Sequence, residues 1–106
     1  MKTTIKYKST GLVYGKYWGG GEGSYPAEKL EADTKEDLLK KANEDLKSGA
    51  LDSGMGYESL LGALLAITKI TTVVINGKSY TNEEEEFEFI GSLSLNQADF
   101  LENQLY

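Results

Sequence analysis

Histidine and cysteine are both absent from this 106-residue chain, so its candidate chemistry rests on carboxylates, hydroxyls and aromatics. Their absence removes thiol nucleophiles, disulfides, cysteine or histidine metal sites and the usual general base. Asp52, Ser53 and Glu58 lie close in sequence. Three scattered oxygens are too few for a calcium site, show no EF-hand spacing, and are explained by capping and loop solvation. The other carboxylate group is Glu83, Glu84, Glu85, Glu86 and Glu88, interrupted only by Phe87. Carboxylate pairs hydrolyse glycosides when two of them flank a cleft in distinct environments, whereas a consecutive run on a strand alternates between two faces. Neither group reads as catalytic, and the expectation is a chain that is not an enzyme.

A third candidate is the segment from Trp18 to Pro26, in which Gly19, Gly20, Gly21 and Gly23 are flanked by aromatics. A phosphate-cradling loop would need a lysine followed by serine or threonine, or a glycine at position 24 and a helix opening there; Ser24, Tyr25 and Pro26 supply neither. No cofactor is expected. Two readings of the segment remain. One is a flexible connection between strands. The other is a mobile loop that meets a partner through Tyr17, Trp18 and Tyr25, residue types enriched among interface hot spots.

Charge bears on the partner. All eleven basic residues are lysines, against seventeen acids, for a net charge of −6. Lys2, Lys6, Lys8 and Lys16 precede the first acid, and no base follows Lys78. Such a chain repels phosphate backbones and lacks the guanidinium fork that reads bases, so direct nucleic-acid binding is disfavoured and a basic protein surface is favoured. Acidity that only keeps a small domain soluble is the competing explanation. No apolar run approaches the roughly 20 residues of a membrane span, and Met1 to Lys6 lead directly into strand-like alternation; the expectation is a soluble, cytoplasmic chain with no membrane partner.

The elements that must position these residues are organised around Ile67 to Phe89. Ile67, Ile70, Val73, Val74 and Ile75, interleaved with threonines, favour extended backbone. Asn76-Gly77 supplies two residues that tolerate positive φ, as a type I′ hairpin turn requires. A two-residue loop fixes the register: Ile75 faces Lys78, Val73 faces Tyr80, and Lys69 faces Glu84 as a cross-strand ion pair. Phe87 and Phe89 then share one face, and Glu84, Glu86 and Glu88 the other. Glutamate has poor strand propensity, so the run points either to protection of a sheet edge or to recognition of a lysine- or arginine-rich partner.

Upstream, alternation over Thr3 to Lys8 and over Leu12 to Trp18 predicts two strands about a Ser9-Thr10-Gly11 turn, with Gly15 marking a bulge or close backbone approach. Ala27 to Asp33 predicts a short strand with Leu30 and Ala32 inward. Thr34 caps a helix carrying Leu38, Leu39, Ala42 and Leu46 that stops at Gly49. Leu51 to Gly56 reads as a turn-rich loop. Tyr57, Leu60, Leu61, Leu64 and Leu65 fall at helical spacing and predict a short buried helix; in the competing reading the strand begins near Ala63 and pairs Leu64 with Phe89. Ser94 and Gln97 form a capping box for a last helix whose stripe is Leu95, Ala98, Leu101 or Phe100, and Leu105. The expected fold is a single α+β domain over residues 1–106, an antiparallel sheet of four to five strands with two to three helices packed on one face.

In size, composition and the carboxylate-rich segment from Lys78 to Phe89, the chain resembles small acidic proteins of bacteriophages and mobile elements, including anti-CRISPR and other anti-defence inhibitors. Several of those block basic nucleic-acid channels by presenting carboxylates where phosphates would sit. The resemblance implies a non-catalytic inhibitor, a monomer or small homo-oligomer, that occupies a basic surface of a nucleic-acid-handling defence protein. Glu83, Glu84, Glu85, Glu86 and Glu88 would pair with its lysines and arginines, and Tyr17, Trp18 and Tyr25 would form an aromatic rim. The alternative is a small structural or assembly protein that self-associates through sheet edges.

Overall fold

The computed structural model describes residues 1–52 and 57–105, so Ser53 lies outside the described residues. The long hairpin forms as the sequence demands. Asn76 and Gly77 take φ of 50° and 78°, and the strands they join, β4 (Tyr57–Ile75) and β5 (Lys78–Gly91), pair without a register shift. Ile75 faces Lys78, Val73 faces Tyr80, Lys69 faces Glu84 and Leu64 faces Phe89.

Two expectations upstream give way to the sheet. Ser9-Thr10-Gly11 is not a turn; it lies inside one strand, β1 (Lys2–Tyr17), which pairs antiparallel with β4 along its whole length. A local turn signal is overridden because the cross-strand partners run on past it, Thr10 on Ala66 and Gly11 on Leu65. Gly11 accommodates this with φ of 143° and accepts a 2.9 Å hydrogen bond from the Ala27 amide through its carbonyl. The expected irregularity at Gly15 is present as a register shift between Tyr14 and Gly15.

Residues 57 to 66 are strand rather than helix. Helical spacing misleads here because the strand is covered on both faces, and a strand buried twice over reads as a continuous apolar run. Every residue from Gly62 to Ile67 is buried.

The remaining strands, β2 (Glu22–Pro26) and β3 (Leu30–Ala32), share the far edge of β1, giving a five-stranded antiparallel sheet with the path β2-β1-β4-β5. Helix α1 (Lys35–Ser48) begins at Thr34, whose Oγ1 accepts a 3.1 Å bond from the Asp37 amide, and ends at Gly49 in the left-handed region. It buries Leu38, Ala42 and Leu46 in one core with Val13, Leu30, Leu51, Ala63, Leu65, Ile67 and Ile90. Helix α2 (Leu95–Leu105) starts from the expected capping box, with Ser94 Oγ accepting from the Gln97 amide at 3.2 Å and Gln97 Oε1 accepting from the Ser94 amide at 2.9 Å. Of its expected stripe Leu101 is fully buried, whereas Leu95 is exposed.

The two helices do not share a face. Val13 and Ala63 are cross-strand partners beneath α1, so their chain neighbours Tyr14 and Gly62 point the other way. Tyr14 meets Phe100 of α2 edge-on, ring centroids 5.8 Å apart. The expectation of helices packed on one side is therefore corrected. An α+β domain with β4 sandwiched between α1 and α2 satisfies the long apolar run as a one-sided sheet could not.

The helices cover only one end of the sheet. Residues 2–6, 70–75 and 78–83 continue as a three-stranded ribbon, and the whole spans 59 × 25 × 19 Å. No helix among the described residues is long and apolar enough to cross a membrane.

Candidate surface site on the acidic edge strand

Strand β5 ends the sheet path, and its ten residues from Lys78 to Phe87 are all exposed. Its glutamates divide by parity. Glu84, Glu86 and Glu88 are level with Lys69, Ile67 and Leu65, which places them on the α1 face; Glu83 and Glu85 share the α2 face with Phe87 and Phe89. From the first turn of α1, Lys35 Nζ reaches Glu86 at 2.8 Å and Glu88 at 3.0 Å. Hydrogen bonds to Glu86 and then Glu88 hold the Lys35 ammonium above the usual lysine range. The other ion pair among the described residues is Lys6 with Glu31, at 3.4 Å. Lys69 and Glu84 are register partners, as expected, but do not close the ion pair that the register suggested. Among the described residues no lysine pairs with Glu83, Glu84 or Glu85 on the outer strand. Tyr7, Lys69, Glu84 and Glu86, with Glu85 between the last two, line a groove of about 300 Å³.

The aromatic residues lie elsewhere. Tyr25 stands opposite Val13 on β2, while Glu84 is level with Tyr7 through Lys69. The step from Tyr7 to Val13 is about 20 Å along the strands, and from β5 to β2 is three strand spacings, about 14 Å. Tyr17, Trp18 and Tyr25 therefore do not rim the acidic strand; they sit diagonally across the sheet, because β1 and β4 intervene.

The glycine segment is a connection between strands, as expected, and joins β1 to its antiparallel neighbour β2. Gly19, Gly20 and Gly21 all take positive φ, the Tyr17 amide donates to the Gly21 carbonyl at 3.0 Å, and the chain returns directly as β2. Trp18 is 68 % exposed at the tip and Tyr25 46 % exposed on the edge. Tyr17 is engaged internally: its ring stacks on Tyr57 at 4.9 Å. The pair lies over Gly15 and Gly23, themselves cross-strand partners, and a Cβ at either glycine would run into one of the rings. Aromatic cover of facing glycines restores the side-chain packing that glycine lacks in a strand. The sequence singled out Tyr17 but not Tyr57, which read as part of a helical stripe.

The Tyr57 hydroxyl donates to the Gly23 carbonyl at 3.1 Å. Burial, and then its interaction with Tyr17, raise the Tyr57 phenol well above the ordinary tyrosine value of 10.0. Burial also raises Tyr14, with smaller contributions from Glu22 and Tyr17. A group whose folded-state pKa is raised stabilises fully below its unfolded value, and that contribution is lost as pH rises. Urea midpoints should therefore fall as pH rises above about 10, where the unfolded chain releases phenol protons that the fold retains. Tyr57→Phe should flatten that decline; an unchanged decline would remove Tyr57 from its cause.

Among the described residues no three His, Cys, Asp or Glu side chains converge as metal ligands would. Asp52 is placed by a bridge to Ala27, and Glu58 is exposed on β4, so the sequence-adjacent carboxylates serve separate elements. Compared with known proteins, the chain matches no protein-family model, no curated protein and no solved structure.

Proposed function

We propose that this chain is a non-catalytic protein-binding module that presents β5 to a basic surface on a nucleic-acid-handling protein and acts by occupancy, in the manner of an anti-CRISPR-type inhibitor. The supporting observation is the position of β5: it is the outer strand of the sheet, with Glu83, Glu84 and Glu85 exposed and not neutralised by Lys35. Same-face carboxylates repeat about every 7 Å on a backbone held by β4, a fixed row of negative charge that suits a surface built for phosphates. The aromatic residues are a separate contact on the opposite edge, available through Trp18 and Tyr25.

The test is capture of bacterial proteins by the tagged chain, with Glu83→Lys/Glu85→Lys alongside; neither glutamate takes part in the Lys35 pair, so folding should be unaffected. Capture of nucleic-acid-binding proteins should be displaced by added DNA or RNA, fall at least tenfold in about 0.5 M salt, and be lost in the double variant. Equal capture by both forms would take β5 out of the mechanism. Self-assembly is the second reading, favoured by Phe87 and Phe89, which are 39 % and 42 % exposed beside the open edge. It predicts concentration-dependent oligomers in sedimentation that persist in high salt.

A further inference from the structure

The backbone of β5 has an orientation that the hairpin turn dictates. In a two-residue hairpin the flanking residues, here Ile75 and Lys78, exchange both backbone hydrogen bonds, and every second pair after them does the same. Since β4 and β5 pair without a shift, Asn82, Glu84 and Glu86 direct their N–H and C=O groups into the sheet. Ser79, Thr81, Glu83 and Glu85 direct theirs outward, where no strand follows among the described residues. This edge is long, regular and exposed, the geometry to which an extended chain adds.

Its charge restricts what can add. A second β5 added parallel and in register, or antiparallel about Glu84 or Glu85, sets glutamate against glutamate, whereas a basic strand over the same residues sets opposite charges together. The β1 edge of a second copy is left uncovered only over residues 2–6, because β3 and β2 occupy the rest, and Lys6 is already paired with Glu31. We propose that β5 accepts, as an added antiparallel strand, an extended segment of a partner protein carrying three consecutive lysines or arginines. The first and third basic side chains meet Glu85 and Glu83 on the α2 face, and the second meets Glu84 on the α1 face. An apolar residue two positions before the first basic residue lies opposite Phe87. Occupancy would then begin with strand addition to a basic segment; this inference rests on the reading of β5 as the binding element.

The probe is a synthetic peptide, Gly-Thr-Val-Thr-Lys-Lys-Lys-Thr-Gly, added to the whole protein at low salt, with amide hydrogen exchange as the readout. Binding should slow exchange at the Thr81, Glu83 and Glu85 amides at least tenfold and leave Asn82, Glu84 and Glu86, already bonded to β4, unchanged. N-methylation of the first and third lysines, whose amides face β5, should weaken binding at least tenfold, while N-methylation of the middle lysine, which faces away, should not. Binding that ignores the methyl position and protects none of the outward amides overturns strand addition and leaves the charge reading standing. No binding by any lysine peptide overturns both. Protection of the same amides that rises with protein concentration alone would show a second copy on the edge and overturn the proposal as well.

Discussion

Gly11→Ala should destabilise the fold by about 4 kcal/mol, combining ~1–3 kcal/mol for a non-glycine residue in a disfavoured backbone region with ~1–3 kcal/mol for overpacking. Gly11 sits in the middle of β1 with φ of 143°, and a Cβ there would run into the Leu64 carbonyl oxygen and lie 3.0 Å from the Leu65 Cα. Those are backbone atoms of a strand held on both sides by β1 and β5, so they cannot swing aside as a side chain would. Gly49→Ala is the matched control. Gly49 has φ of 84° at the end of α1 but nothing within 4 Å of its added Cβ, so it should cost only about 1–2 kcal/mol. Urea denaturation of the two variants measures the difference. Equal losses would mean that β1 and β4 are less closely apposed at Gly11 than their pairing requires.

Leu64→Ala and Leu65→Ala should each cost about 3 kcal/mol, within the ~2–5 kcal/mol of a buried leucine truncation. The expectation is diagnostic because the two are adjacent on one strand and so point to opposite faces. Leu65 is fully buried in the α1 core, and Leu64 is 1 % exposed on the side of α2. In a sheet with helices on one face, one of the pair would face water and its truncation would cost little. In a helix, by contrast, both would lie on the same stripe. Thermal or urea unfolding of the two single variants distinguishes the sandwiched strand from a sheet covered on one face. A loss below about 1 kcal/mol at Leu64 would contradict the sandwiched strand.

Much of the fold was legible because it rests on local chemistry. The Asn76-Gly77 turn fixed nine successive pairs of one hairpin, from Ile75–Lys78 to Ile67–Glu86. The caps at Thr34, Gly49 and Ser94 are hydrogen bonds or φ preferences within a few residues of chain. Where the reading failed, the deciding partner was distant in sequence. Ser9-Thr10-Gly11 looks like a turn until Ile67, Ala66 and Leu65 lie alongside it. Tyr57 to Leu65 matches a helical template as well as a strand buried twice, and periodicity alone does not separate them.

The candidate site divides the same way. Local chemistry is enough to make β5 a strand rich in carboxylate, to sort its side chains between two faces, and to set Lys69 beside Glu84, because a period of two and a two-residue turn leave no other register. Tertiary packing was needed to make β5 the outer strand, to bring Lys35 across to Glu86 and Glu88, and to put Tyr17, Trp18 and Tyr25 on the opposite edge. Those facts follow from the order of strands and the crossing of α1 over the sheet. Both are fixed by long-range burial, in which Val13, Leu38, Leu65 and Ile90 meet in one core, and adjacent residues carry no record of that meeting.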